Sequence, residues 1–353
     1  AQIVELYSDI ESFDVALYPN QQEGNLRLEV LLVKPDINEK ILARQVFSID
    51  NFPGNTRITK VGFWNIFNPD RGAYVVKARL LDGEKVLSEA EYSFVYGSNS
   101  PSRLQINDLA PNSQGISVAL AAREASLFDI EYMLVDGSKV TYATKTEKLS
   151  LTSIPEVFSA SWGTLLENNK EYTGRVKIQV YSPQREFITS IENFTARENA
   201  QITDIYQDET GASATVFGRS QVPFEGNLTF SVYKLGDASA NGNFSLVESI
   251  REKVPVLLNN DDETVEVAWK QRLSKGVYRL EIELLGNDGD IIERRETIIE
   301  SDLSQTSNAS SANGSNNTNT TGTPENRGIP GFSLAALLTC LAVSSIFLKK
   351  SLK

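Results

Sequence analysis

The chain has no histidine, and its 353 residues hold one cysteine, Cys340. Without an imidazole, the triads that use histidine as general base are excluded. Without a thiol before residue 340, the preceding chain offers no disulfide and none of the usual Cys/His zinc sites. An oxidising exterior permits disulfides without requiring them, and a chain of this length can bury ordinary cores without such staples. Cations are also few: 34 Lys+Arg stand against 46 Asp+Glu, a net charge of −12. Arg327, Lys349, Lys350 and Lys353 lie at the C-terminal end, so the remainder is more acidic still. A surface of that sign argues against nucleic acid or anionic lipid as partner. No glycine-rich phosphate loop opens a helix. The chain starts at Ala1-Gln2, with no Met and no apolar leader. The expectation is an exported chain whose signal peptide has been removed.

What is present is a threefold pattern. Trp64 precedes Tyr74 by ten residues, Trp162 precedes Tyr172 by ten, and Trp269 precedes Tyr278 by nine. After each tyrosine apolar residues alternate, as in Tyr74, Val76, Ala78 and Leu80. Charged residues such as Lys77, Arg79, Lys177, Glu281 and Glu283 fill the gaps. A period of two with one apolar face is a half-buried strand, which places those charges on a solvated face. Turn residues follow each run: Asp82-Gly83, Ser182-Pro183 and Asn287-Asp288-Gly289. A second extended run then closes each hairpin near Phe94, Phe194 and Ile299.

Repeats near 100 residues, made of short strands and turns, predict an all-β chain of three tandem immunoglobulin-like β-sandwich domains. Their boundaries are 1–98, 99–198 and 199–301. Gly97-Ser98-Asn99-Ser100-Pro101 reads as a linker, and the shorter junction at Arg197-Glu198-Asn199 as a stiffer one. The Trp, the Tyr and the alternating strand resemble the closing half of CARDB and fibronectin type III surface repeats. That resemblance implies a tyrosine bonded back to the preceding corner, at Tyr74, Tyr172 and Tyr278. The tryptophans are expected to fill the cores.

Past residue 301 the composition changes. Residues 302–328 form a Ser/Asn/Thr-rich tract with almost nothing apolar, too polar to offset the entropy of ordering. A disordered stalk is predicted. It carries N-x-S/T sequons at Asn308, Asn313, Asn316 and Asn319, and three more lie upstream at Asn193, Asn227 and Asn243. These are N-glycosylation candidates if the chain is exported.

Residues 329–353 hold Pro330-Gly331-Phe332, an uncharged run over 332–348, and three terminal lysines. A helix of that length reaches about 25 Å, just short of a hydrocarbon core. It reads as a single C-terminal transmembrane helix, with the lysines inside and the N-terminal part extracellular. Cys340 within it reads as a small apolar packing residue. The tripeptide, the short apolar helix and the basic end resemble the PGF-CTERM sorting signal of archaeal surface proteins. That resemblance implies an archaeosortase-like processing enzyme as partner and a membrane lipid as the final anchor. Plain spanning by the helix is the alternative.

For chemistry the sequence offers carboxylate clusters: Asp261-Asp262-Glu263, and Asp288 with Asp290 and Glu293. The latter set is a weak candidate for calcium, although neither stretch fits an EF-hand loop and Asn287-Asp288-Gly289-Asp290 is a good hairpin turn by itself. No cofactor and no catalytic residue is expected. The leading expectation is a non-enzymatic archaeal cell-surface glycoprotein, a rod of sandwiches held to the membrane. Its role would be structural or adhesive, with surface-layer proteins as partners. The alternative is a surface-displayed module that binds carbohydrate, peptide or a secreted partner.

Overall fold

The structure, a computed structural model, describes residues 1–19, 24–35, 39–50, 54–97, 103–236 and 244–302. The stalk, the tripeptide and the apolar run lie outside them. Among the described residues there are 21 strands and no helix, so the described part is all-β. No helix among them is long and apolar enough to cross a membrane.

The strands fall into three sets of seven, each split into a three-stranded and a four-stranded layer. In the first set, β1 (Gln2–Ser8), β2 (Ser12–Tyr18) and β5 (Ile58–Phe63) lie in that order. The facing layer runs β4 (Lys40–Ile49), β3 (Leu26–Lys34), β6 (Gly72–Asp82), β7 (Lys85–Tyr96). The second set repeats this with β12 (Glu156–Ser161), β9 (Gly115–Ala122) and β8 (Leu104–Pro111). Its larger layer runs β11 (Lys139–Leu151), β10 (Ser126–Asp136), β13 (Glu171–Ser182), β14 (Glu186–Thr195). The third set has β15 (Ala200–Gln207), β16 (Gly211–Gly218) and β19 (Asp262–Ala268). Opposite them run β18 (Phe244–Lys253), β17 (Asn227–Leu235), β20 (Gly276–Leu285), β21 (Ile291–Ser301).

Alternation dictates these layers. In β3, Leu26, Leu28, Val30 and Leu32 point inward and are buried, while Arg27 and Glu29 point out. Each set encloses its own apolar core: one built on Phe13, Leu28 and Val76, one on Phe128, Ile130 and Val176, one on Phe230, Leu280 and Ile282. The predicted closing hairpins are β6–β7, β13–β14 and β20–β21, all antiparallel. Gly83 takes a left-handed backbone (φ 59°) in the tight β6–β7 turn, where a Cβ would be strained.

The aromatic repeat sits at corners. Trp64, Trp162 and Trp269 are 4%, 1% and 6% exposed. Each indole N–H bonds to the β-turn that opens its own set: Trp64 to Ser8 Oγ at 3.0 Å, Trp162 to the Asn112 carbonyl at 2.8 Å, Trp269 to the Asp208 carbonyl at 3.2 Å. The tyrosines close the opposite corner. Tyr74 donates to the Asp70 carbonyl, and Tyr278 to the Ser274 carbonyl at 2.9 Å. Tyr172 instead accepts from the Glu167 amide at 3.2 Å.

Residues 98–102 of the first linker lie outside the described residues, but the two sets on either side of it also meet elsewhere. The first set does not follow the second end to end. Its small layer joins the large layer of the second set through β5 and β11, where Lys60 pairs with Lys139. A seven-stranded sheet results, in the order β1-β2-β5-β11-β10-β13-β14. This sheet folds back on itself at that join, so β1 and β2 lie over β13 and β14. The second junction, predicted to be the stiffer one, carries direct contacts. Val222 of the third set enters the core of the second. Gln221 bonds to it three times, from its amide to the Ser113 carbonyl, from its side chain to the Trp162 carbonyl, and through its own carbonyl to the Leu166 amide.

Candidate functional site

The outward face of β2 carries Ser12, Asp14 and Ala16, and all three are buried although they point away from the core of their own set. What covers them is the outward face of β13. Arg175 and Lys177 stand there at positions whose counterparts, Lys77 and Arg79, Glu281 and Glu283, face solvent-accessible ion pairs. The expectation that Lys177 lies on a solvated face is therefore wrong. Asp14 is 2% exposed, Arg175 0% and Lys177 4%. Period two marks a two-faced strand but does not say what covers the second face.

The seam is organised around Asp14. Its Oδ1 lies 2.8 Å from Arg175 Nη1, and its Oδ2 accepts from Lys177 Nζ at 2.8 Å. Lys177 also donates to Glu5 Oε1 at 2.7 Å, and Arg57 reaches the other Glu5 oxygen at 2.6 Å. The Lys177 ammonium sits 4.9 Å from the Tyr7 ring centre and 5.4 Å from that of Phe187. Arg175 Nε donates to Ser12 Oγ at 3.3 Å, and its Nη2 is buried without a partner. Beside these charges Val61, Met133 and Val135 form a small apolar cluster. Taking the three charges of Asp14, Arg175 and Lys177 out of water is expensive, and only close, complementary contacts offset that cost. The layout fixes one docking geometry for the two sets.

A cleft of about 150 Å³ opens next to the seam, lined by Glu5, Arg57, Asp129, Glu131, Lys145, Lys177, Gln179 and Phe187. Burial pushes the Glu131 carboxyl above the usual carboxylate range, and the negative charges of Asp14 and Glu5 add to this against the pull of Lys177. Burial would also raise Glu5, but its bonds to Lys177 and Arg57 more than offset that and hold it low. Asp129 is likewise held low against burial, by Lys145, the Lys148 amide and Tyr181.

The sequence motifs fall elsewhere. Asn193 is exposed on edge strand β14, with Thr195 exposed beside it; its Oδ1 accepts from Thr173 Oγ1 at 2.7 Å. Asn227 is partly buried at the start of β17, between β18 and β20. Asn243, Asn308, Asn313, Asn316, Asn319, Pro330, Gly331 and Phe332 lie outside the described residues.

The calcium candidates do not converge. Asp288 Oδ2 accepts from Asn169 at 3.4 Å, and the Asp290 carbonyl takes the Gly286 amide at 2.8 Å. Glu293 is spent on Arg295 and on the Ile202 amide at 2.7 Å. Among the described residues no group of three or more Asp, Glu, Cys or His is placed to hold a metal ion.

A signal for the seam was present in the sequence and lay in the opening strands. Gln2-Ile3-Val4-Glu5-Leu6, Gln105-Ile106-Asn107-Asp108-Leu109 and Gln201-Ile202-Thr203-Asp204-Ile205 are one motif. Each copy has its register shift at the same step, after Ile3, Ile106 and Ile202. Four residues past each acid come Asp9, Asn112 and Asp208, whose Oδ1 atoms cap the next turn. Asp108 and Asp204 are exposed, whereas Glu5 is drawn into the seam.

The geometry thus defines an all-β protein of serial seven-stranded sets, two of which share a charged seam. No family model matches the chain, and no curated protein matches it. Among solved structures it is similar to trypsin-activated α2-macroglobulin from Escherichia coli, with a TM-score of 0.23 at 12% identity over 84% of this chain. It spans 23% of that protein's length. A DUF4785 family protein from Legionella pneumophila gives a TM-score of 0.27 at 9% identity, covering 81% of this chain and 85% of the other. Red sea bream transglutaminase gives 0.24 at 10% identity, over 57% and 31%. Likenesses this low carry no argument about what this chain does.

Proposed function

We propose that this chain is a non-enzymatic, membrane-anchored cell-surface glycoprotein of archaeal type, with a structural or adhesive role in or beneath a surface layer. The observation that carries the reading is the order of features at the C-terminal end: a glycosylatable Ser/Asn/Thr tract, Pro330-Gly331-Phe332, a short apolar run and three lysines. Three serial sandwiches of immunoglobulin type, each with three strands facing four, are a suitable load-bearing body for such a tether. The acidic surface suits an exposed, solvated location. Stiff junctions, with a buried charged seam at one and an inserted valine at the other, favour a body that transmits force over a string of loose beads. Of the two sequons in the described part, Asn193 is the more accessible acceptor.

The test separates processing from plain spanning. Deleting 332–353 should release the protein into the medium. Replacing Pro330, Gly331 and Phe332 with alanine should leave it in the membrane with its lysine tail intact, as read by mass spectrometry of the native membrane fraction. Maturation of the alanine variant to the wild-type mass would favour a plain transmembrane anchor.

A further inference from the structure

We infer that Lys177 and Asp14 form an intramolecular isopeptide bond that covalently joins the first strand set to the second. The reacting groups are already in contact: Lys177 Nζ lies 2.8 Å from Asp14 Oδ2, on two strands that share no backbone pairing. Both side chains are almost wholly out of solvent. Tyr7 and Phe187 flank the amine, so water is largely kept from a bond whose formation releases water. A second carboxylate, Glu5, touches the same nitrogen at 2.7 Å. The Arg175 guanidinium pairs with the other Asp14 oxygen at 2.8 Å, a charge contact without hydrogen-bond alignment. An amine, a carboxyl, a proton carrier and a cation at the acyl oxygen are the parts that amide formation needs.

The step balances within these residues. A proton passes from Lys177 Nζ to Asp14 Oδ2 along their hydrogen bond, giving a neutral amine and a carboxylic acid. Burial of the pair favours this exchange, because a charge pair out of water is costly. The nitrogen lone pair then attacks Asp14 Cγ. The new Nζ–Cγ bond puts negative charge on Oδ1, where Arg175 stabilises it. Glu5 takes a proton from the nitrogen and returns it to the Oδ2 hydroxyl. The Cγ–Oδ2 bond breaks, water leaves, and the carbonyl re-forms at Oδ1. One N–C bond is made, one C–O bond is lost, Glu5 ends as it began, and no oxidant or cofactor is consumed. Lys177 and Asp14 are thereby reactants, and Glu5 is the catalytic carboxylate.

The inference does not depend on where the protein is anchored. Its test is tryptic digestion of the denatured full chain followed by mass spectrometry. The expected product is peptide 1–27 joined to peptide 176–185, with no cleavage after Lys177 and a mass lower than the sum of the two by one water. Asp14→Asn should give the same joined product by loss of ammonia, and Lys177→Arg should give none. Glu5→Gln should leave the peptides separate while circular dichroism still reports the folded sheet. Separate peptides from the wild-type chain, with Lys177 cleaved normally, would overturn the bond whatever the variants do. A joined peptide that persists undiminished in Glu5→Gln would overturn the role assigned to Glu5.

Discussion

Asp14 and Lys177 are 163 residues apart in sequence and meet at 2.8 Å inside the seam between the first two strand sets. A contact so distant along the chain must offset loop-closure entropy before it adds to stability. Its value lies in geometry. A buried charge accepts few orientations of its partner, and an apolar face of the same area would accept many.

Asp14→Ala should therefore be severe. Compared in a Lys177→Arg background, where no amide forms, it leaves Arg175 and the cation at position 177 buried without their shared counter-charge, which costs about 3–5 kcal/mol from the ion pairs alone. Urea unfolding followed by tryptophan fluorescence would read the loss. Faster amide exchange should be confined to β2, β5, β10 and β13 at low denaturant. A loss below about 1 kcal/mol, the range of a solvated surface pair, would mean that the seam opens to water.

The cores should respond to loss of their tryptophans. Trp162→Ala removes a side chain that is 1% exposed, lies parallel to Phe194 and meets Tyr142 edge to face. Large-to-small changes of this kind cost about 3–5 kcal/mol. The same cost is expected at Trp64 and Trp269, each within its own set. Differential scanning calorimetry of the three variants would assign each lowered transition to a set.

How much of this was readable beforehand can be argued residue by residue. Trp64, Trp162 and Trp269 stand at a fixed interval before an alternating strand, and packing demands a large side chain there, so the closing hairpins and the sandwich class were legible. The opening motif was also written three times, but it is short, and its glutamines (Gln2, Gln105, Gln201) and acids, which no core requires, make it pass for surface composition despite the isoleucine after each glutamine. Lys177 was misread because Arg79 and Glu283 occupy the same register on faces that do meet water. Only the partner strand, brought from another set, turns that position inward. Gly97-Ser98-Asn99-Ser100-Pro101 reads as a linker, but a linker's composition says nothing of contacts made elsewhere along the two bodies it connects.

Asp208 offers a titration test. Its Oδ1 accepts from the Thr210 amide at 2.7 Å, from the Gly211 amide at 3.0 Å and from Thr210 Oγ1 at 2.6 Å. Burial alone would raise its carboxyl, but these bonds more than offset burial and hold it low. A depressed folded value means stability that is present above the unfolded aspartate value, about 3.9, and lost as pH falls through the folded one. Asp208→Asn keeps the capping oxygen, as Asn112 does in the second set. The variant should lose about 1 kcal/mol near neutral pH and have a flatter acid limb in thermal melts. An acid limb as steep as that of the wild type would place the titrating group elsewhere.

Glu131 should show the opposite sign. It lies across from Lys145 on β11 and from Lys177 on β13, at the edge of the seam cleft. Burial raises it, with the charges of Asp14 and Glu5 adding to the effect and Lys177 opposing it. A carboxyl whose folded pKa lies above its unfolded value, about 4.3, destabilises the fold when ionised. That cost is fully present above the folded value and disappears as pH falls below the unfolded one. Glu131→Gln removes the charge while keeping the shape. It should raise the melting temperature near neutral pH and leave it unchanged below the carboxylate range. Acidification should accordingly stabilise the wild type relative to this variant, whereas it destabilises the wild type relative to Asp208→Asn. Melts of the three proteins across the acid range read both signs in one experiment. A Glu131→Gln protein less stable than wild type near neutral pH would show that the carboxylate is held by Lys145 or Lys177 as a net favourable ion pair, and that its burial is the smaller effect.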